Sequence, residues 1–293
     1  MLHKFRSFFL MAIAVGFLAA CEDIVDVDTD EGAPQLVVDA FINHLPERQE
    51  IKITKSQPYF DNSSPNPVEN AEVYLLDKDD NRTDFDFDVE SGVYFWEPEH
   101  EEDSLVLFGQ SYRLRVNADG EEFEASSRVN RIPPIDTIFS SFEEAGLFND
   151  ERYIVELTIV DPPGVGDTYW FRVYRNGVRY KEPGDVILAF DAAFDPGQGD
   201  GIPIIPPITG SVNIEDYEVG DEITVEVYAI TNETYYFLRE ARTQATNGGI
   251  FASPPANVRS NLRNRNPESN EKALGWFSTS SVSRESIVIE SAE

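Results

Sequence analysis

A chain of 293 residues with 54 Asp and Glu against 23 Lys and Arg carries a formal charge of −31. So acidic a body repels phosphate backbones, which excludes DNA and RNA as partners. Its 20 Phe, 12 Tyr and 3 Trp supply the apolar surface that a core requires, which excludes a wholly disordered chain.

The first residues read as a secretion signal. Lys4 and Arg6 precede a charge-free run from Phe8 to Ala20, 13 residues long. That length fits the ~7–15 residues of a signal-peptide core and falls short of the ~20 needed to span a bilayer. Leu18-Ala19-Ala20-Cys21 then has the form of a lipobox, with small residues before the cut and a thiol to carry diacylglycerol. The expectation is a signal peptide over 1–20 and lipidation, palmitate included, of Cys21. Cys21 is the only cysteine, so an internal disulfide is impossible. Residues 21–34, rich in Asp and Glu, read as an acidic tether.

The next segment alternates short β-rich runs with turns. Leu36 to Ile42, Ile51 to Ile53, Ala71 to Leu76 and Val93 to Trp96 are expected strands. Tyr112 to Val116 meets Glu121 to Ala125 across Asp119-Gly120, a hairpin signal because both turn residues tolerate positive φ. Asp77 to Thr83 mimics the start of a calcium loop. Arg82 falls where glycine is needed, however, and Asp88 where a bidentate glutamate is needed, so a polar turn is expected. Residues 35–131 form the first expected domain.

Arg131-Ile132-Pro133-Pro134-Ile135 reads as a boundary, since two prolines cannot continue a ladder. Residues 135–293 form the second expected domain. Its strands are Tyr153 to Val160, Tyr169 to Tyr174, Val186 to Phe190 and Ile223 to Ile230, with a hairpin at Asn176-Gly177. Asp195 to Pro207 reads as an exposed loop, and Asp191, Asp195 and Asp200 as solvated carboxylates rather than a calcium site. One helix is expected, capped by Asn232, with Tyr235, Leu238, Arg242 and Ala245 on one side and Asn247-Gly248-Gly249 at its end. Leu274 to Phe277 and Ser286 to Ile289 read as two closing strands. The fold class expected is mainly β: two antiparallel β-sandwich domains of immunoglobulin or fibronectin type, one C-terminal helix and a returning terminal segment.

The charge reverses locally. Residues 21–238 hold 14 Lys or Arg against 48 Asp or Glu, whereas residues 239–284 hold seven against three. The basic segment either neutralises its own body or docks an acidic partner, and Arg259, Arg263 and Arg265 are the candidate docking residues.

Several stretches resemble one known family. They are Leu36 to Ile42, Ile53 to Phe60, Pro65 to Leu75, Asn247 to Phe251, Pro254 to Val258 and Ala273 to Val282, together with the lipobox. The chain thereby resembles a family of Bacteroidota outer-membrane lipoproteins known as a domain of unknown function. Its members are commonly encoded beside TonB-dependent receptors. The resemblance implies an outer-membrane, surface-exposed location and a receptor as neighbour, and it carries over no catalytic residue.

No motif for chemistry is found. There is no H-E-x-x-H, C-x-x-C or G-x-S-x-G pattern, and His44 and His100 stand far apart. No cofactor and no metal are therefore expected, and the chain is read as non-enzymatic. The leading expectation is an accessory or binding component of a TonB-dependent receptor uptake system. A structural or adhesive surface protein is the alternative, and a glycoside hydrolase built on two carboxylates is the remote one.

Overall fold

The computed structural model describes residues 33–58, 61, 63–145, 150–193, 197, 199–204, 212–247 and 258–291. The leader, Cys21, the acidic tether up to residue 32, Asp195 and residues 248–257 lie outside the described residues. Among the described residues, no helix is long and apolar enough to cross a membrane.

The chain is mainly β. The first strands are β1 (Leu36–Asn43), β2 (Gln49–Lys55), β3 (Glu72–Leu76), β4 (Arg82–Asp88), β5 (Val93–Trp96), β6 (Ser111–Ala118) and β7 (Glu121–Arg128). After them come β8 (Ile135–Glu143), β9 (Arg152–Ile159), β10 (Thr168–Arg175), β11 (Val178–Arg179), β12 (Ile187–Phe190) and β13 (Glu222–Ile230). The helix α1 (Asn232–Ala245), β14 (Arg263–Asn264) and β15 (Ala273–Val288) complete the order. Residues 34–293 form one compact unit.

Alternation explains the strands. In β1, Leu36, Val38, Ala40 and Ile42 are buried on one pleat face while Asp39 is exposed on the other, where Phe41 packs on the Trp170 ring. The two expected hairpins are present. Asp119 and Gly120 take φ of 54° and 83°, and Asn176 and Gly177 take 51° and 77°, the left-handed pair that a two-residue turn between twisted strands requires. Of the expected polar turn, Asp77 to Asn81 connect β3 to β4, while Arg82 and Thr83 already pair within β4. The amides of Asp79 and Asn81 and the Asn81 side chain all donate to the Asp77 carboxylate at 2.8–2.9 Å.

Most strands join one path, in the order β11-β10-β13-β15-β1-β2-β5-β4-β3-β6-β7-β14, with β12 on β10. Three apolar clusters cover it. The first lies among β1 to β7 and includes Leu114, Val116 and Phe277. The second is enclosed between the β10–β13 face and the β8–β9 ribbon, around Val155, Phe171 and Val225. The third seats α1 by Tyr235 and Leu238 against Trp170, Tyr228 and Val282.

Four expectations are corrected. The two closing strands are one, the 16-residue β15, which at ~3.3 Å per residue runs roughly 50 Å. It pairs with β1 through Ala273–Ser280 and with β13 through Ser281–Val288, so it serves two sheets in turn. The β1 pairing is parallel, which its late return in the chain permits. β4 and β8 were not anticipated; the exposed positions of β4 carry Arg82, Asp84 and Asp86, and those of β8 mix Asp136 and Thr137 with Phe139 and Phe142. Finally, the helix cap is Thr231, whose hydroxyl accepts the Thr234 amide at 3.2 Å, one residue before Asn232.

Candidate recognition cleft

A cleft of about 930 Å³ opens where β7, α1 and the segment leading into β14 meet. That volume is in the range of ligand-binding clefts, ~300–1,000 Å³. One wall is Glu124 to Arg128 of β7, and the other is the α1 stripe Glu233, Tyr236, Phe237 and Glu240. These helix positions share a side at spacings of three and four, so the helix turns Tyr235 and Leu238 to the core and this stripe to the cleft. Trp276 and Phe277 of β15 form the floor.

The floor is fixed by short-range chemistry. Trp276 stacks on Phe237 with ring centres 4.6 Å apart and planes 16° from parallel. Its indole N–H donates to Thr234 Oγ1 at 2.9 Å, and the Thr234 hydroxyl donates to Ser278 at 3.2 Å. Asn261 plugs the edge of β15, accepting the Phe277 amide at 3.0 Å and donating to its carbonyl at 2.7 Å. The cleft is therefore a gap between preorganised walls.

Its rim carries the basic residues singled out by charge. Arg259 and Arg263 line the cleft, joined by Arg128 of β7, which the charge count did not single out. Among the described residues, none of the three has a carboxylate within 4.0 Å. Arg265 is placed differently. It lies outside the lining and pairs with Glu122 at 3.4 Å. The carboxylate on the β7 wall, Glu124, is held by Arg115 at 2.5 Å, and the other two, Glu233 and Glu240, belong to the helix wall.

Elsewhere arginines are matched by the chain itself. Arg131, at the double-proline boundary, meets one of three clustered carboxylates, Asp161, Asp167 and Asp191, whose oxygens lie within 4.8 Å of one another. Its guanidinium grips Asp167 and donates to the carbonyls of Pro162, Pro163 and Gly164 at 3.0–3.1 Å. Carboxylates and carbonyls together are the donor set of a hard cation, and here Arg131 supplies the positive charge. Burial, reinforced by the Asp167 and Asp191 charges, pushes the Asp161 carboxyl above its ordinary value, against the hydrogen bonds from Tyr169 and Gly201. Asp191, expected to be solvated, is fully buried, and the amides of Gly166 and Asp167 donate to it at 2.7 and 2.9 Å. Asp200 holds the Gly164 amide beside them.

Arg172 illustrates another treatment, stacking between the rings of Trp170 and Tyr228 at 3.9 and 4.1 Å. The two described histidines are committed away from the cleft. The Val282 amide donates to His44 Nδ1 at 3.1 Å, and His100 pairs with Asp103 at 3.0 Å.

A family model described as a domain of unknown function, DUF4249, matches residues 22–286, and the chain belongs to that family. No curated protein matches the chain significantly.

Proposed function

We propose that this DUF4249 protein is a non-enzymatic recognition lipoprotein of the outer membrane, anchored through lipid on Cys21 and serving as accessory to a TonB-dependent receptor. The observation that carries the proposal is a set of arginines, Arg128, Arg259 and Arg263, that meet no carboxylate among the described residues and surround a cleft of about 930 Å³ in a protein of charge −31. A chain with so many carboxylates had every means to pair them, and it pairs Arg115, Arg131, Arg175 and Arg284. Guanidiniums left free beside aromatic rings are the chemistry of interface anchors. The commitment of His44 and His100 elsewhere favours binding over nucleophilic catalysis.

The acidic stretch 21–34 suits the role of a tether, since 14 extended residues reach at most roughly 50 Å from a lipid anchor. Two measurements test the reading. Cys21→Ser abolishes lipid labelling if the anchor is assigned correctly, and unchanged labelling removes the lipoprotein claim. Detergent extracts should co-purify a receptor barrel with the parent protein and lose it with Arg259→Glu/Arg263→Glu. A barrel retained undiminished by that variant ends the docking role of the cleft.

A further inference from the structure

The cleft also exposes backbone. In β7 the Arg265 amide donates to the Glu122 carbonyl at 2.8 Å, so the even-numbered residues of β7 direct their backbone groups away from β6. Consistently, Val129 turns its amide the other way, to Gln110 on the β6 side. β14 covers this edge only at Phe123 and Glu124. Before Arg263 the chain leaves the register, and Asn261 goes instead to the edge of β15. From Ser126 to Arg128 the edge of β7 is consequently open, and it lies in the wall of the cleft. Ser126 and Arg128 are exposed, and among the described residues no backbone group of β14 pairs with them.

An open strand edge is a template for another strand. Natural proteins blunt such edges with a bulge, a proline or a covering loop, and none of these covers Ser126 to Arg128 among the described residues. The charges around the edge select what is added. Arg263 pairs beside Glu124 of β7 and shares the cleft with Arg128 and Arg259, whereas the carboxylates Glu233 and Glu240 sit on α1. We infer that the cleft captures an extended acidic peptide segment of a partner protein, which adds to β7 as a strand at Ser126–Arg128 and sets its carboxylates against Arg128, Arg259 and Arg263. Tyr236 and the Phe237–Trp276 stack face the other side of that strand and receive its apolar side chains. This rests on the cleft being the recognition site and adds the mode of binding and the chemistry of the partner.

The test uses the full mature protein in detergent and a capped peptide of alternating glutamate and valine, followed by fluorescence anisotropy. The peptide should bind, and binding should weaken as salt rises because the exposed charges are screened. Methylating alternate backbone nitrogens of the peptide should cost at least about tenfold in affinity, since the added strand then loses its donors without any change in the protein. Ser126→Pro should cause a comparable loss with the thermal midpoint preserved, because the missing amide makes no ladder bond to β6. The N-methylated peptide binding as tightly as the parent peptide, or a glutamine–valine peptide binding as tightly as the acidic one, overturns the inference. If the acidic peptide does not bind at all while Arg259→Glu/Arg263→Glu still releases the receptor barrel, strand addition falls and the docking role of the cleft stands.

Discussion

Arg131 and the Arg259–Arg263 pair place the same side chain in opposite circumstances. Around Arg131 the chain converges the Asp167 carboxylate and three carbonyls on one guanidinium, with Asp161 and Asp191 clustered against Asp167. Around the cleft, among the described residues, no carboxylate pairs with Arg128, Arg259 or Arg263, although Glu233 and Glu240 lie on the facing wall. Burial accounts for the difference. Asp167, which Arg131 grips, is mostly buried and clusters with the fully buried Asp161 and Asp191, so the cation there is structural. The cleft faces water, which solvates free guanidiniums cheaply and leaves them available to a partner.

The largest expected effect tests the strand on which both regions lean. β15 floors the cleft with Trp276 and Phe277, and its Ser283 accepts the Ile135 amide just after the Arg131 boundary. Gly275 holds φ at 92°, and a Cβ there would fall within 2.8 Å of the Val38 carbonyl carbon on β1. Gly275→Ala therefore forces β1 and β15 apart and should cost at least roughly 3 kcal/mol. Chemical denaturation measures it, and a loss below about 1 kcal/mol would show that β1 and β15 yield without damage.

That strand also marks the limit of what sequence could reveal. Leu274 to Phe277 and Ser286 to Ile289 are apolar enough to read as strands, but Ser278, Thr279, Ser280 and Ser281 between them look like a loop. They are buried all the same, because β15 there passes from one sheet to the next and is covered on both faces. Thr234 satisfies the Ser278 hydroxyl there, whereas those of Thr279 and Ser281 are buried without a partner among the described residues. The hairpins at Asp119-Gly120 and Asn176-Gly177 were legible because turn chemistry is local. In the cleft, Arg259 and Arg263 were legible as a reversal of charge, and Tyr236 and Phe237 as part of a helical pattern. Arg128 was not, since only the fold brings residue 128 beside residue 259. For the same reason the partners of Arg131, 30 residues and more along the chain, left no signal, and Asp191 was read as solvated.

The second prediction removes the structural cation. Arg131→Gln keeps some hydrogen-bonding capacity but removes the ion pair that holds Asp167 within the Asp161–Asp167–Asp191 cluster. A loss of roughly 2–3 kcal/mol is expected, below that of a fully buried pair because the guanidinium is itself partly exposed. Calcium, which accepts carboxylate and carbonyl oxygens, should restore part of the loss in the variant and do little to the parent. A variant as stable as its parent would show that the three carboxylates need no resident cation.

A third arginine supplies an intermediate case. Hydrogen bonding from Arg175, with further donors at Asn176 and the Glu218 amide, holds the Asp221 carboxyl down at about 2. A carboxyl depressed in the folded state binds fewer protons than its unfolded counterpart near pH 3, so its contribution is present above about pH 4 and is lost as pH falls through about 2. Asp221→Asn should lower stability at neutral pH, and the gap from the parent should close over that acid range. A gap independent of pH would mean that the side chain matters by shape rather than by charge.

The smallest expected effect on stability is the one that separates the two kinds of arginine. Arg259 and Arg263 have no carboxylate within 4.0 Å among the described residues, so reversing them to glutamate removes no ion pair. It does bring new negative charge toward Glu233 and Glu240 across the cleft, but exposed charges at that remove are screened over ~8 Å at physiological ionic strength. The folded state should therefore change by less than about 0.5 kcal/mol, as for surface substitutions generally. Arg265→Glu, which turns an attraction to Glu122 into a repulsion, should cost slightly more. Thermal melts of the double and single variants, run beside the receptor association rate, decide the matter. If Arg259→Glu/Arg263→Glu destabilises the protein as Arg131→Gln does while association keeps its normal rate, these arginines neutralise their own acidic body, and the contrast between the two regions disappears.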